Sequence, residues 1–207
     1  MSLLPVFVKL AQRPCLLVGA GEVALQKIPS LLAAEASLRI VAPRVRPEIA
    51  ALAAHGLVKV EQREFMAADL DNIFMVVAAT DDPPVNAAVY EEAVTRNILC
   101  NSVDDPPHCD FYFGSIVRRG DLQIAISTAG ESPALAQRLR QEIDAQLPDD
   151  LGPWLHDVGE LRREVLAMRA SSEERRLLLH ELAHREVCSA GACPARRTAL
   201  CSQEAVA

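Results

Sequence analysis

Short apolar runs alternate with helical stretches from Pro14 to Val103, and this alternation limits the fold more than any other feature. The runs are too short and too rich in β-branched residues to be buried helices, so they predict strands. We predict strands at 15–19, 38–42, 58–62, 73–80 and 98–103, and helices at 22–34, 46–55 and 84–96. Strands and helices in this order form βαβ units, which predicts an α/β protein with a parallel sheet.

The pattern changes after residue 112. Two apolar runs around a Gly120-Asp121 turn predict a hairpin. Ser132 before Pro133 predicts a helix start, and Ser171 with Glu174 predicts a capping box and a helix to about His184. We therefore predict a Rossmann-like domain at 1–112, a strand-rich region at 113–147, a helical module at 148–186 and a mobile, Cys-containing tail at 187–207.

Composition and charge exclude some classes of partner. No apolar run approaches the roughly 20 residues of a membrane helix, and the amino end has neither a basic leader nor a small-residue cleavage site. We therefore expect a cytoplasmic protein without a membrane partner, whose six cysteines are free thiols or metal ligands. The net charge of −7 argues against nucleic acid as a partner, because phosphate binding needs a basic surface.

A glycine-rich turn, VGAGEVALQK at 18–27, follows the first predicted strand and opens the first predicted helix. Gly19 permits the tight turn, Gly21 permits close approach of a pyrophosphate, and the small Ala24 permits packing of the helix on the sheet. This context predicts dinucleotide binding. The acidic residue expected about 20 positions later is absent, and Arg44 stands there instead, so the residues leave NAD and NADP open.

Three aspartates, a histidine and a cysteine crowd into the segment NSVDDPPHCDF at 101–111. The segment is compatible with a metal site, a proton-transferring carboxylate or a polar loop. His108, Cys109 and Asp110 follow two prolines, which favours a plain loop for these three. Asp104 lies just past the carboxyl end of a predicted parallel strand, where open α/β sheets place their ligands.

Several stretches together resemble the precorrin-2 dehydrogenase/sirohydrochlorin ferrochelatase family, which is the N-terminal module of siroheme synthase. The similarity covers residues 3 to about 168. It is carried by LPVFVKL, VGAGEVALQK, VAP at 41–43, AATDDPPVN at 78–86, NSVDD and, above all, AISTAGESPALAQRLRQEI at 125–143. The resemblance implies a Rossmann-like NAD domain, a strand-rich region that forms a homodimer, and a helical module.

The resemblance also implies an activity. Family members dehydrogenate precorrin-2 to sirohydrochlorin with NAD as hydride acceptor, and many then insert ferrous iron as a substrate to give siroheme. Matched residue by residue, the implied catalytic residue is Asp104. One carboxylate can act as general base in both steps, since dehydrogenation removes a proton from carbon and metal insertion removes two pyrrole protons. The implied NAD contacts are Glu22, Val23, Pro43 and Arg44. Together with Gly19, Gly21 and Thr80 they are the candidate cofactor-binding residues.

A tetrapyrrole substrate carries many carboxylates and needs cations. Between residues 112 and 140 there are four arginines and two acids, a local excess of +2, and arginine binds carboxylates in a bidentate way. The alternative for each arginine is ordinary surface charge. The candidate substrate-binding residues are Arg118, Thr128, Ser132 and Arg138. Relatives often have serine at position 128 and glycine at position 129, where this chain has threonine and alanine.

Residues 180–184 read HELAH and match the H-E-x-x-H zinc protease signature. No continuation of the motif follows, so we interpret the match as a chance occurrence and predict no metal ligand. The hypothesis that stays open is metal capture by His180, His184 and the tail cysteines Cys188, Cys193 and Cys201.

A second functional class is an NAD-sensing regulator without catalysis. Rossmann domains serve in both roles, so the glycine-rich turn does not separate them. The segment 113–147 favours the enzyme, because a sensor of this size would not need it.

Overall fold

The computed structural model describes residues 3–183. The chain divides into two compact units, Met1–Phe113 and Gly114–Ala207. The α/β fold class predicted from the sequence is confirmed, with a parallel sheet in the first unit and a small antiparallel sheet followed by helices in the second. The finer division into four parts stays a prediction.

The first unit contains five parallel strands in the order β3-β2-β1-β4-β5. This order reverses direction between β1 and β4, which makes that position the switch point of an open sheet. The strands are β1 (Pro14–Val18), β2 (Ser37–Val41), β3 (Lys59–Glu61), β4 (Met75–Ala78) and β5 (Leu99–Ser102). The helices are α1 (Glu22–Ala33), α2 (Pro47–Ala54) and α3 (Pro83–Thr95), with 3₁₀ turns at Ala67–Leu70 and Pro106–His108.

The sheet is buried on both faces, which explains why its strands are continuous apolar runs rather than alternating ones. On one face, Leu17 and Ile40 pack with Ile28 of α1. On the other face, Leu16 and Val76 pack in a second cluster that includes residues of α3. Because neighbouring residues of β1 face opposite layers, the strand anchors the sheet to both sets of helices.

The register of the strands places the candidate functional residues along one edge. Val18 of β1 lies beside Val41 of β2 and Ala78 of β4, and Ala78 lies beside Ser102 of β5. These four residues form a row at the carboxyl ends of their strands. The segments that follow them therefore all begin at the same edge of the sheet.

The second unit begins with the antiparallel hairpin of β6 (Ser115–Arg119) and β7 (Leu122–Ile126). Up to residue 183, three helices follow: α4 (Pro133–Gln146), α5 (Leu151–Ala167) and α6 (Ser172–Leu182). Both predicted helix starts are confirmed. The Ser132 hydroxyl accepts a hydrogen bond from the Leu135 amide (3.2 Å), and Ser171 and Glu174 form a reciprocal capping box.

Within residues 3–183, no helix is long and apolar enough to cross a membrane. His180 lies in the last turn of α6. The other residues of the HELAH hypothesis, His184 and the three tail cysteines, lie outside the described residues.

Candidate active site

The turn after β1 requires glycine at position 19. Gly19 has φ of +104°, a conformation that L side chains rarely adopt. A Cβ atom at this position would lie 2.3 Å from the carbonyl oxygen of Ala79, which follows β4. The loops after β1 and β4 therefore touch through their backbones, and they do so at the switch point of the sheet.

Gly21 has the opposite surroundings, with open space where a side chain would begin. It is the N-cap of α1, no side chain caps this helix start, and an added Cβ would have no protein atom within 4 Å. The backbone is thus open to a ligand, and the first amide groups of α1 together with its dipole favour an anion. Glu22 and Val23 form the exposed first turn, whereas Ala24 is fully buried against the sheet. These residues fit the pyrophosphate of a dinucleotide.

The loop after β2 forms a second side of this region. Pro43 accepts a hydrogen bond from Gln62 through its carbonyl (3.3 Å). Arg44 is 88% exposed, and its guanidinium lies 3.7 Å from the carboxylate of Asp81 in the loop after β4. Such an exposed pair contributes little to stability, so the Arg44 side chain is available to a ligand.

Arg46 belongs to this region but was not predicted from the sequence. Its amide donates to the carbonyl of Ala20 (3.2 Å), and its guanidinium forms ion pairs with Glu22 (3.0 Å) and Glu48 (2.9 Å). The hydrogen bond from Arg46 holds the pKa of the Glu48 carboxyl below its ordinary value. Arg46 thereby ties the start of α2 to the glycine-rich turn.

Thr80, in the loop after β4, is held by a second residue that the sequence analysis missed. The side-chain amide of Asn86, on α3, donates to the Thr80 carbonyl (3.1 Å), and its oxygen accepts from the Thr80 hydroxyl (2.7 Å). Asn86 is only 9% exposed. Its buried amide fixes the path of the loop that touches Gly19.

Asp104 lies at the tip of the loop after β5. Its φ is +60°, in the left-handed region, and its side chain is exposed. Among the described residues, no hydrogen bond or ion pair engages its carboxylate. The carboxylate is therefore free to accept a proton from a bound molecule.

The remainder of this segment closes the loop. Two hydrogen bonds join Asp110 to Cys100 of β5. The Asp110 amide donates to the Cys100 carbonyl (2.8 Å), and the Asp110 carboxylate accepts from the Cys100 amide (2.9 Å). Asn101 donates to the Phe111 carbonyl (2.8 Å), and the Cys109 thiol donates to the Ser102 carbonyl (3.0 Å). The segment 100–111 is thus a loop whose two ends are bonded to each other.

Neither thiol of the segment has the chemistry of a nucleophile or a ready metal ligand. Burial raises the pKa of Cys100 to about 12 and raises the pKa of Cys109 above its ordinary value, which keeps both protonated at neutral pH. His108 is engaged by Asp105, with Nδ1 2.6 Å from Oδ2. In residues 3–183, no group of three or more His, Cys, Asp or Glu side chains could hold a metal ion.

In the second unit, Thr128 and Ser132 lie together in the loop before α4. The Thr128 hydroxyl accepts from the Ser132 amide (3.2 Å), and the Glu131 amide donates to the Thr128 carbonyl (3.0 Å). Between them, Ala129 and Gly130 both have positive φ, +51° and +88°. The two predicted substrate residues therefore shape a tight loop at the N-terminus of a helix.

Three of the four arginines between residues 112 and 146 form ion pairs. Arg119 binds the Asp144 carboxylate (2.7 Å), Arg140 binds the same residue (3.3 Å), and Arg138 binds Glu142 (2.7 Å). Both acids lie just beyond residue 140, so four arginines face four acids over residues 112–146. The local excess of +2 disappears once all of α4 is counted.

Comparisons with known proteins agree with this architecture. Residues 6–115 match the family model described as "Putative NAD(P)-binding", and residues 119–146 match the model for the central part of a sirohaem biosynthesis protein. The chain is 43% identical over 176 residues to siroheme synthase 1 of Serratia proteamaculans and 46% identical over 176 residues to siroheme synthase 3 of Aeromonas hydrophila. Each alignment covers 85% of this chain but only 37% and 38% of those proteins, so the chain spans little more than a third of their length.

A solved structure of SirC, a precorrin-2 dehydrogenase, is also similar. It has a TM-score of 0.76 and 26% sequence identity, and the match covers 98% of this chain and 100% of that one. The chain therefore belongs to the family of putative NAD(P)-binding proteins, and the proteins that it is similar to are siroheme synthases and a precorrin-2 dehydrogenase, in agreement with the resemblance found in its sequence.

Proposed function

We propose that this protein dehydrogenates precorrin-2 to sirohydrochlorin with NAD as hydride acceptor. The observation that carries the proposal is the shared edge of the sheet. The glycine-rich turn after β1, the Thr80 loop after β4 and Asp104 after β5 follow three adjacent strands at their carboxyl ends. A dinucleotide site and a free carboxylate are thereby combined at the place where open α/β sheets bind ligands. The match to a precorrin-2 dehydrogenase of nearly equal length supports this proposal.

The residues of the first unit have separate tasks. Gly21 and the first amides of α1 bind the pyrophosphate, while Pro43 and Arg44 flank the nucleotide on one side and Thr80 on the other. NAD, when bound, supplies the hydride acceptor. Asp104 accepts the proton that leaves the substrate carbon as the hydride departs, which balances the loss of two hydrogens from precorrin-2.

Ferrous iron insertion would use the same carboxylate. Formation of siroheme releases two pyrrole protons when iron, as substrate, enters sirohydrochlorin. Asp104 can accept these protons in turn and pass them to water, because it is exposed.

The test is turnover by the full chain with precorrin-2 and NAD, followed in a second reaction by sirohydrochlorin and ferrous iron, with absorption spectra as the readout. We expect Asp104→Ala and Asp104→Asn to lose at least about a hundredfold in dehydrogenation rate, as for removal of a general base. Asp71→Asn is the matched control, since this carboxylate lies before β4, at the opposite end of the strand. Undiminished dehydrogenation by the Asp104 variants would remove Asp104 from the step, and no turnover by the wild type would contradict the function.

The proposal includes a homodimer in the cytoplasm. The hairpin of β6 and β7 packs against α4 and α5, but within residues 3–183 its two strands pair only with each other. Their outer edges can therefore pair with strands of a second chain. The thiols of Cys15, Cys100 and Cys109 are free, as expected in a reducing compartment. Sedimentation velocity should give about twice the chain mass of 22.5 kDa, and a monomer at micromolar concentration would contradict the dimer.

A further inference from the structure

Asp104 occupies a backbone position that few side chains adopt. The Asp105 amide donates to the Ser102 carbonyl (3.2 Å), so residues 102–105 form a β-turn with Asp104 as its third residue. With φ of +60°, this position favours glycine or asparagine. Aspartate adopts the left-handed conformation more readily than most side chains but less readily than glycine. Such a conformation persists only where neighbouring contacts enforce it.

The backbone before Asp104 is held by the sheet. The Val103 amide donates to the carbonyl of Ala78 on β4 (2.9 Å), which continues the strand pairing by one residue. This bond fixes the backbone on the N-terminal side of Asp104. The backbone on its C-terminal side needs a separate contact.

His108 holds the backbone that follows Asp104. Its amide donates to the Asp105 carbonyl (2.9 Å), and its Nδ1 lies 2.6 Å from the Asp105 carboxylate. One residue therefore bonds both the backbone carbonyl and the side chain of Asp105. The imidazole in turn packs on Tyr90 of α3, with 4.5 Å between ring centroids and 44° between ring planes. The chain Asp105–His108–Tyr90 thus connects the residue after Asp104 to a helix that packs on the sheet.

We propose that His108 is a positioning residue for Asp104, acting through Asp105, an inference that rests on the proposed function. The His108–Asp105 pair fixes the peptide that leaves Asp104, and so keeps Asp104 in the left-handed conformation that sets the direction of its carboxylate. The pair also occupies the neighbouring carboxylate of Asp105. Asp104 is then the one carboxylate of this turn that is free for proton transfer.

The test compares His108→Ala with His108→Asn in the full chain. Asparagine can place an amide N–H where Nδ1 stands and so restore the bond to Asp105. We expect His108→Ala to lower kcat about tenfold, as for a misplaced catalytic group, with the KM for NAD unchanged and the melting temperature nearly so. His108→Asn should recover most of kcat. His55→Ala is the control, because this exposed histidine bonds only the Ala51 carbonyl of its own helix.

An unchanged kcat in His108→Ala would overturn the proposal, as would a His108→Asn variant that folds but is as slow as His108→Ala. If His108→Ala does not fold, Asp105→Ala removes the same pair from the other side and should lower kcat to a similar extent. If the wild type shows no turnover, the proposed function fails, and the inference is judged on structure alone. Crystal structures or backbone chemical shifts should then show residue 104 leaving the left-handed region in His108→Ala and keeping it in His108→Asn.

Discussion

A Cβ atom on Gly19 would lie 2.3 Å from the carbonyl oxygen of Ala79, a distance that no relaxed structure tolerates. The contact joins the turn after β1 to the loop after β4. Gly21, two residues later, has open space where its Cβ would be. The same motif therefore contains one glycine required by the fold and one that leaves open space for the proposed dinucleotide.

Gly19→Ala and Gly21→Ala should separate these two requirements. We expect Gly19→Ala to lose several kcal/mol of stability, because both its φ and the clash with backbone oppose a side chain. Gly21→Ala should change stability by less than about 1 kcal/mol, since φ is −88° and nothing obstructs the methyl group. Both variants should lose NAD binding, measured by calorimetry beside thermal unfolding. A stable Gly19→Ala protein, or NAD binding by Gly21→Ala as tight as in the wild type, would contradict this reading.

The loop before α4 allows a stabilising substitution. Ala129 has φ of +51°, a conformation that glycine adopts without steric cost. We expect Ala129→Gly to raise the free energy of unfolding by up to about 1 kcal/mol, because relief of strain exceeds the added entropy of the unfolded chain. Gly130→Ala, at φ of +88°, should lower it. Chemical denaturation measures both, and destabilisation by Ala129→Gly would show that the alanine methyl group has a packing role.

The features predicted correctly from sequence are those with local causes. Burial of the sheet on both faces makes β1 and β4 continuous apolar runs, which stand out against helices. The capping serines at 132 and 171 act on amides three residues away, so their signal lies within one helical turn. The family resemblance, too, depended on motifs that are contiguous in the chain.

What sequence reasoning missed depends on residues that meet only in the fold. Arg46 pairs with Glu22, which lies 24 positions earlier in the chain. Asn86 looks like an ordinary helix residue in the sequence, and its role becomes visible only from its hydrogen bond to the Thr80 loop. The local excess of arginines was counted only to residue 140, and Glu142 and Asp144, which pair with Arg138 and Arg140, lie just beyond that window. The role of these arginines in substrate binding stays a prediction. The left-handed conformation of Asp104 depends on the hydrogen bonds of the residues beside it, and no residue pattern in the sequence predicts it.

Asp69 should make stability depend on pH at the acidic end. It is 3% exposed and accepts hydrogen bonds from Arg63 (2.8 Å) and Arg39 (3.0 Å). The hydrogen bond from Arg63 is the main reason that its pKa falls from 3.8 to about 2. Because the folded state holds the lower pKa, the stabilisation is fully present above about pH 4 and is lost as the pH falls towards 2.

The stabilisation should amount to about 2 kcal/mol, since the pKa of Asp69 falls from 3.8 to about 2 on folding. In urea denaturation, the free energy of unfolding of the wild type should therefore fall by this amount between pH 6 and pH 2. The Asp69→Asn variant should not show this fall, since it is already destabilised at neutral pH. Asp71→Asn is the control, because this carboxylate is 63% exposed and its pair with Arg96 is long, at 3.5 Å. Parallel pH profiles for the wild type and Asp69→Asn would contradict the assignment.

Gly120 in the hairpin turn contacts Gly152 of α5. A second glycine of the same helix, Gly159, has no such contact and provides a matched control. A Cβ on Gly152 would lie 2.9 Å from backbone atoms of Arg119 and Gly120, whereas a Cβ on Gly159 would meet only the end of the Arg163 side chain, at 3.8 Å. We expect Gly152→Ala to lower the free energy of unfolding by at least about 2 kcal/mol, because backbone must move. Gly159→Ala should raise it by up to about 1 kcal/mol, since alanine is the better helix former. Calorimetric unfolding of both variants checks the contrast, and equal effects would show that the helix and the turn do not touch in solution.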